Sequence, residues 1–417
     1  EIDPNFAIAH ARLAYCYNNQ RKLQSSRDES TKAYKLRDRV SERERFIITS
    51  SYYGGVTGEW DEQIRELQTW KATYPRDWEP LNLLANRYTA VGPFELAVAE
   101  GNKAIELNGK DARPYVNVGV ALIELNRFDD AKSILRKAEE LKPESTNMHA
   151  RLYQLGFLQG DDSLMKEQLD WANANRNSEA ALNWQAQVVA FQGQLSQADQ
   201  LNDRAAEMMR SADTKEATAQ VMLIEATRDA TLGDCGRATR LAKQALDLSR
   251  EQANLVSAAN AHAACGQTAA AQSLIDELTR GFPDDTLLNA NWLPIIRAQN
   301  ELNKGSAAQA IQMLESARKF EVFGDFWPQY LRGQAWLKQK NGTQAATEFK
   351  TILDHRGWYP TSPLYPLAQL GLARAATLSG DNATARKAYQ DFFALWKAAD
   401  ANLTAAVAAR AEYEKLN

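Results

Sequence analysis

Six polar side chains stand at related positions in one stretch of this 417-residue chain: Asn82, Asn86, Arg113, Asn117, Arg151 and Gln154. Side-chain amides offer both a donor and an acceptor, and a guanidinium offers a planar fork of donors. Set along one wall, such groups hydrogen-bond a peptide backbone or a terminal carboxylate. A second group is aromatic: Trp292, Trp327 and Tyr330, with Phe323 and Phe326 just before the last two. Clustered aromatics anchor partners, and they equally pack between structural units, since Trp is usually mostly buried. Both readings stay open at this point. Chemistry that makes or breaks bonds has no counterpart in the sequence. No GxxxxGK or GxGxxG phosphate cradle, HExxH or GxSxG is present. The four histidines, His10, His149, His262 and His355, lie far apart in sequence, whereas a metal needs converging ligands. The expectation is therefore no catalytic residue, no metal and no cofactor.

The polar residues belong to a repeat. Leu84-Ala85, Tyr88, Ala97 and Ala104 are followed 34 residues later by Val118-Gly119, Leu122, Ala131 and Ala138, and Pro143 closes the unit. Leu67, Trp70 and Pro75 hold the late positions of the preceding unit. A small residue in one helix, alanine at two places in the next and proline after it, at this period, is the tetratricopeptide (TPR) pattern. Each unit is an antiparallel pair of helices, A and B. Small residues sit where the helices cross closely, and Leu84, Tyr88 and Leu135 fill the gaps. Pro143 ends its helix because proline cannot continue one. The frame runs on more loosely to Leu372-Ala373, Ala385 and Tyr389.

The fold expected is an all-α superhelical TPR solenoid of about eleven helix-turn-helix units plus a C-terminal capping helix. A degenerate first unit spans 1–43, the best-defined repeats 44–177, the middle repeats 178–285, the C-terminal repeats 286–400 and the capping helix 401–417. Two stretches depart from the period, Arg37 to Tyr53 and Gly357 to Leu367, and both are predicted as irregular connections, which on rigid scaffolds often carry function. The chain opens Glu1-Ile2-Asp3-Pro4-Asn5 without an initiator methionine. The expectation is a fragment of a longer protein, with Glu1-Ile2 as the tail of a preceding helix.

In such a solenoid the A helices line a concave surface, and the six polar residues fall at positions expected to face it. Chaperone-binding TPR proteins hold a carboxylate with a five-residue clamp. Asn86, Asn117 and Arg151 occupy three of those five positions, but Asn82 and Asn147 stand where the clamp has lysines. The expected partner is a protein or peptide in the concave groove. The plainer alternative is a solvated polar wall. Trp292, Trp327 and Tyr330 fall at concave positions of the ninth and tenth units. Cys235 and Cys265 fall at A–B turns of adjacent units, thirty residues apart, where Cα atoms can approach disulfide range. A bridge, implying an oxidising compartment, and two free thiols both fit the sequence.

Composition narrows the class. Charged residues make 24% and hydrophobic ones 44% of the chain, which is ordinary for a folded protein and excludes wholesale disorder. Net charge is −4, so nothing points to nucleic acid or an anionic membrane as partner. No run approaches the length of a membrane span.

Four phrases carry a further likeness: YKLRDRVSERERFIITSSYY (34–53), WLPIIRAQNELNKGSAAQAIQML (292–314), QYLRGQAWL (329–337) and EFKTILDHRG (348–357). They resemble the TPR-rich C-terminal regions of large bacterial serine/threonine protein kinases, as in Acidobacteria. Similar regions also follow winged-helix DNA-binding domains in some regulators. The resemblance covers essentially the whole chain. It implies a non-catalytic interaction or sensory region downstream of a kinase domain, often with a membrane span between them. The alternative it implies is the effector-sensing part of a transcription regulator. The compartment stays open, cytoplasmic or extracytoplasmic.

Overall fold

The computed structural model describes residues 3–20, 22–210 and 215–416. Among these, eleven antiparallel helix pairs follow one another, and a last helix, Thr404–Glu414, covers the end. The fold is an all-α TPR solenoid. Its units are clearest at Glu79–Val91 with Phe94–Leu107, and at Ala112–Glu124 with Phe128–Leu141. Ala85, Ala97 and Ala131 are fully buried. A Cβ added to Gly119 would lie 2.6 Å from Leu135 Cδ2, and one added to Gly333 would lie 2.6 Å from Phe349. The small residue of each period is thus set by the contact between the A and B helices of one unit. The turn between them is built by a Gly-Asp pair. Gly160 and Gly233 take positive φ (67° and 101°), and the carboxylates of Asp161 and Asp234 accept from Leu164 N and Arg237 N to start the next helix. One residue releases the first helix and the next caps the second.

Two expectations about irregular segments need correction. Arg37 to Tyr53 is mostly helical: a short turn, Arg37–Arg39, leads into a helix, Glu42–Tyr52, that opens the second unit. Ser41 and Glu44 form a reciprocal capping box, a signal legible in the spacing. The charged residues lie outside, while Phe46 and Ile48 enter the core. Gly357 to Leu367 is irregular only as far as Pro363. The helix Leu364–Leu378 begins within it, with Pro366 in the first turn, where its missing N–H is not needed. The expected helix tail at Glu1-Ile2 lies outside the described residues.

The superhelix meets itself. Arg27 Nη1 donates to Asp285 Oδ2 at 3.0 Å, and Lys319 Nζ donates to Asp61. Both pairs are 258 residues apart, roughly seven and a half TPR periods. One superhelical turn therefore returns the chain to its start. The seam continues with Trp60 edge-on to Phe320 and Phe323 (5.7 and 4.9 Å) and Phe94 against Trp358 (5.9 Å). Asn126 Nδ2 donates to Asp354 O at 3.0 Å, and Gly357 N donates back to Asn126 Oδ1 at 2.9 Å. The Arg356 guanidinium lies over the rings of Phe157, Phe191 and Tyr365 at 5.2, 4.6 and 4.6 Å. Trp396 Nε1 donates to Phe191 O, and Asp400 N to Gly193 O. Residues 316–324 and 355–363, which break the helical period, supply much of this seam.

Candidate binding cavity

Closure converts the concave groove into a central cavity of about 1010 Å³. The A helices of the third to tenth units contribute to its wall, together with the irregular segment 358–363. A smaller space of about 400 Å³ shares Leu23, Arg27, Gly55, Arg87, Gln252 and Ala253 with it and reaches exposed Tyr15 and Asn18 in the first unit. The two together form a path from the N-terminal end into the centre.

The wall has two characters. Units three to seven contribute Asn86, Arg87, Glu124, Arg151, Gln154, Gln187 and Arg228. The later units contribute Ile295, Ile296, Trp292, Phe323, Trp327 and, from the irregular segment, Trp358 and Tyr359. One side is polar and charged, the other aromatic and aliphatic.

Five of the nine residues expected to bind are brought together here: Asn86, Arg151, Gln154, Trp292 and Trp327. Arg151 Nη1 donates to Gln154 Oε1 at 3.0 Å, which aims the guanidinium along the wall. The other four lie outside its lining. Asn82 is buried, and Asn117 Nδ2 donates to its side-chain and main-chain oxygens at 2.8 and 3.2 Å. That pair ties the A helices of successive units. Arg113 is exposed, chelates Asp111 at 2.8–2.9 Å and stacks over Trp78 at 4.7 Å. Tyr330 packs edge-on to Phe349 at 6.0 Å, and burial pushes its hydroxyl up to about 12. Asn82, Asn117 and Tyr330 are thus taken up by contacts between helices, and Arg113 by its own helix start.

Four ionisable wall residues escaped sequence reasoning or gained meaning only from closure. Arg87 lies over Trp60 at 4.2 Å, and its Nε has no hydrogen-bond partner among the described residues. Burial lowers it to about 10. Burial likewise lowers Arg151, against the opposing charge of Glu124. Burial raises Glu124 well above the usual carboxylate range, with Arg151 pulling it back. Asp325 is pushed up to about 7 by burial, with Ser362 pulling the other way. Among the described residues none of these four makes an ion pair.

A nearby acidic group has a different character. Oxygens of Asp199, Glu225 and Asp229 lie within 4.8 Å of one another. Arg228 Nη2 donates to Asp229 at 2.9 Å and Asp199 at 3.1 Å, and Arg237 reaches Asp203, Glu225 and Asp229. The two guanidiniums occupy the place a metal cation would take, and the network staples the sixth unit to the seventh. Cys235 and Cys265 lie at neighbouring turns with Cα atoms 5.4 Å apart and their sulfurs joined, while Cys16 is free and exposed. No helix among the described residues is long and apolar enough to cross a membrane.

Comparison with known proteins agrees with the repeat frame. The tetratricopeptide repeat family profile matches residues 112–145. No curated protein matches the chain. Among solved structures, yeast Tom70 is similar at 12% identity over 99% of this chain and 95% of that one, with a TM-score of 0.41. The APC/C hetero-tetramer Cut9-Hcn1 is similar at 14% identity over 98% and 83%, with a TM-score of 0.46. A tetratricopeptide repeat protein from Parabacteroides merdae is similar at 13% identity over 70% and 98%, with a TM-score of 0.35. Residues 112–145 thus match the tetratricopeptide repeat in sequence, and the remaining units follow the same helix-pair architecture.

Proposed function

We propose that this chain is a non-catalytic recognition module that takes a peptide into its central cavity. The observation that carries the reading is the gathering of Asn86, Arg151, Gln154, Trp292 and Trp327 around one cavity. Amide and guanidinium donors on one side satisfy a peptide main chain or carboxylate. The aromatic side accepts apolar side chains, and aromatic anchors in desolvated pockets dominate binding energy. The path from the first unit gives an extended segment a way in. The four phrases shared with kinase C-terminal regions support a place as the regulatory part of a serine/threonine protein kinase.

Panning a displayed peptide library on the purified chain tests the reading. The expected result is a set of peptides that bind the wild type and lose about tenfold or more in affinity on Arg151→Ala, roughly 1.4 kcal/mol. Recovery of no peptide, or of peptides indifferent to Arg151→Ala and Asn86→Ala, contradicts it. The coding sequence upstream tests the second half: a kinase catalytic domain is expected there, and a helix-turn-helix domain contradicts it.

A further inference from the structure

The end of the cavity around Glu124, Arg151 and Asp325 is unusual in three independent respects. The first is its charge balance. This protein pairs buried charges elsewhere: Arg332 with Glu348 at 2.8 Å, Arg27 with Asp285 at 3.0 Å, Arg228 with Asp229 at 2.9 Å. Arg27 and Arg228 line this same cavity. Yet Glu124, Arg151 and Asp325 have no ion-pair partner among the described residues, and Glu124 Oε2 and Asp325 Oδ1 accept no hydrogen bond there. A half-buried ionisable group without a charged partner is either held neutral, as the raised Glu124 and Asp325 are when the cavity is empty, or completed by a charge from outside the chain.

The second is backbone strain. Asp325 and Phe326 take consecutive positive φ values, 48° and 61°. For a side chain as bulky as phenylalanine this is a real outlier. Strain of this kind persists only where its surroundings impose it, and it clusters at ligand sites. Phe326 is fully buried, stacked on Trp358 and edge-on to Tyr359. That packing holds Asp325 at the cavity wall.

The third is the aromatic surface beside these charges. Trp327, Trp358 and Tyr359 line the same cavity. The Tyr359 hydroxyl donates to Val322 O at 2.7 Å, so the phenol is fixed. Gln187 Oε1 accepts from Thr361 Oγ1 at 3.1 Å, which fixes the edge of the segment.

We propose that this end of the cavity receives a small amphoteric ligand, bearing a primary ammonium, a carboxylate and an apolar side chain. That is the chemistry of a free apolar amino acid or a short peptide with free ends. The carboxylate lies on Arg151 and Gln154. The ammonium lies at Glu124 and Asp325, where aromatic faces add cation–π attraction. The apolar group lies against Trp327 and Trp358. A ligand of this class gives Arg151 a carboxylate and gives Glu124 and Asp325 a shared ammonium. The proposal rests on the cavity being the binding site, and it narrows the ligand to one class.

The test uses the purified chain, thermal-shift screening and titration calorimetry. The probes are the twenty free L-amino acids and the dipeptides Leu-Leu and Gly-Phe, each at millimolar concentration. At least one apolar amino acid or dipeptide is expected to raise the melting temperature and bind. Binding of the free acid and of the dipeptide separates the two sources. Acetylating the amine or amidating the carboxylate of that probe is expected to weaken binding about tenfold or more. Glu124→Gln is expected to remove the penalty for acetylation, and Arg151→Gln the penalty for amidation. No binding by any probe, or equal binding by blocked and free forms, overturns the proposal. If longer library peptides still bind under that outcome, peptide recognition stands without the amphoteric pocket. If those fail too, both readings fall.

Discussion

Replacing Gly357 with alanine attacks the seam that closes the superhelix. A Cβ there would lie 1.8 Å from Ile123 O and 2.7 Å from Ile123 C, both backbone atoms. The end of the fourth unit's A helix and the 355–363 segment must separate by over an ångström to admit it. Two hydrogen bonds then break, Asn126 Nδ2 to Asp354 O and Gly357 N to Asn126 Oδ1. At about 1 kcal/mol each, plus about 1–3 kcal/mol for the overpacking, the seam loses roughly 3–5 kcal/mol. Local opening is read by hydrogen exchange, because repeat proteins open segment by segment. Amides of 123–128 and 354–363 are expected to exchange about two to four orders of magnitude faster in Gly357→Ala. The helix Cys235–Leu248 of the seventh unit, which makes none of the seam contacts above, is expected to keep its rates. Exchange at both seam segments within about tenfold of wild type would refute the closure argument.

Further consequences follow from the same structure. Titration of unreduced, denatured protein should find one thiol, that of Cys16; three thiols contradict the Cys235–Cys265 pairing. Under oxidising conditions Cys235→Ser should lower stability by about 3–4 kcal/mol, from the thirty-residue loop the bridge closes. Arg356→Ala should cost about 2 kcal/mol or more, because a guanidinium that lies over three rings and donates to Pro360 O is lost. Arg356→Lys should recover only part of this, since an ammonium cannot stack. Folded-state burial pushes Asp325 up to about 7 and raises Asp229 against its arginine partners, where an unfolded aspartate titrates at about 3.9. The folded state binds the extra protons, so stability is greatest at low pH and is lost as pH rises towards 7. In the unliganded protein Asp325→Asn should flatten that decline and be more stable than wild type at pH 8. An unchanged pH slope contradicts the assignment.

Much of the architecture was legible in residue spacing. The 34-residue period located the helix pairs because each alanine or glycine is dictated by one close crossing, as at Gly119 against Leu135. Gly-Asp pairs marked the turns because φ and cap each demand one residue type. The site was half legible. Position within the A helix placed Asn86, Arg151 and Gln154, and the aromatic cluster placed Trp292 and Trp327, on what the structure shows as cavity lining. Closure was invisible, since it depends on small rotations accumulated over seven units, which no local pattern encodes. For that reason Asn82, Asn117 and Tyr330 read as wall residues yet pack between helices. Glu124 and Asp325 carry no sequence signal, yet line the cavity without an ion-pair partner among the described residues. The capping box at Ser41 and Glu44 was a readable signal in a stretch taken as irregular.

The central claim is that the solenoid closes on itself after one turn and so builds the cavity. Small-angle X-ray scattering of the wild-type chain tests it most directly. A radius of gyration near ~22 Å, the value for a compact chain of this length, is expected. An elongated particle, with a radius of gyration above roughly 30 Å, would contradict the closed superhelix and with it the site built inside.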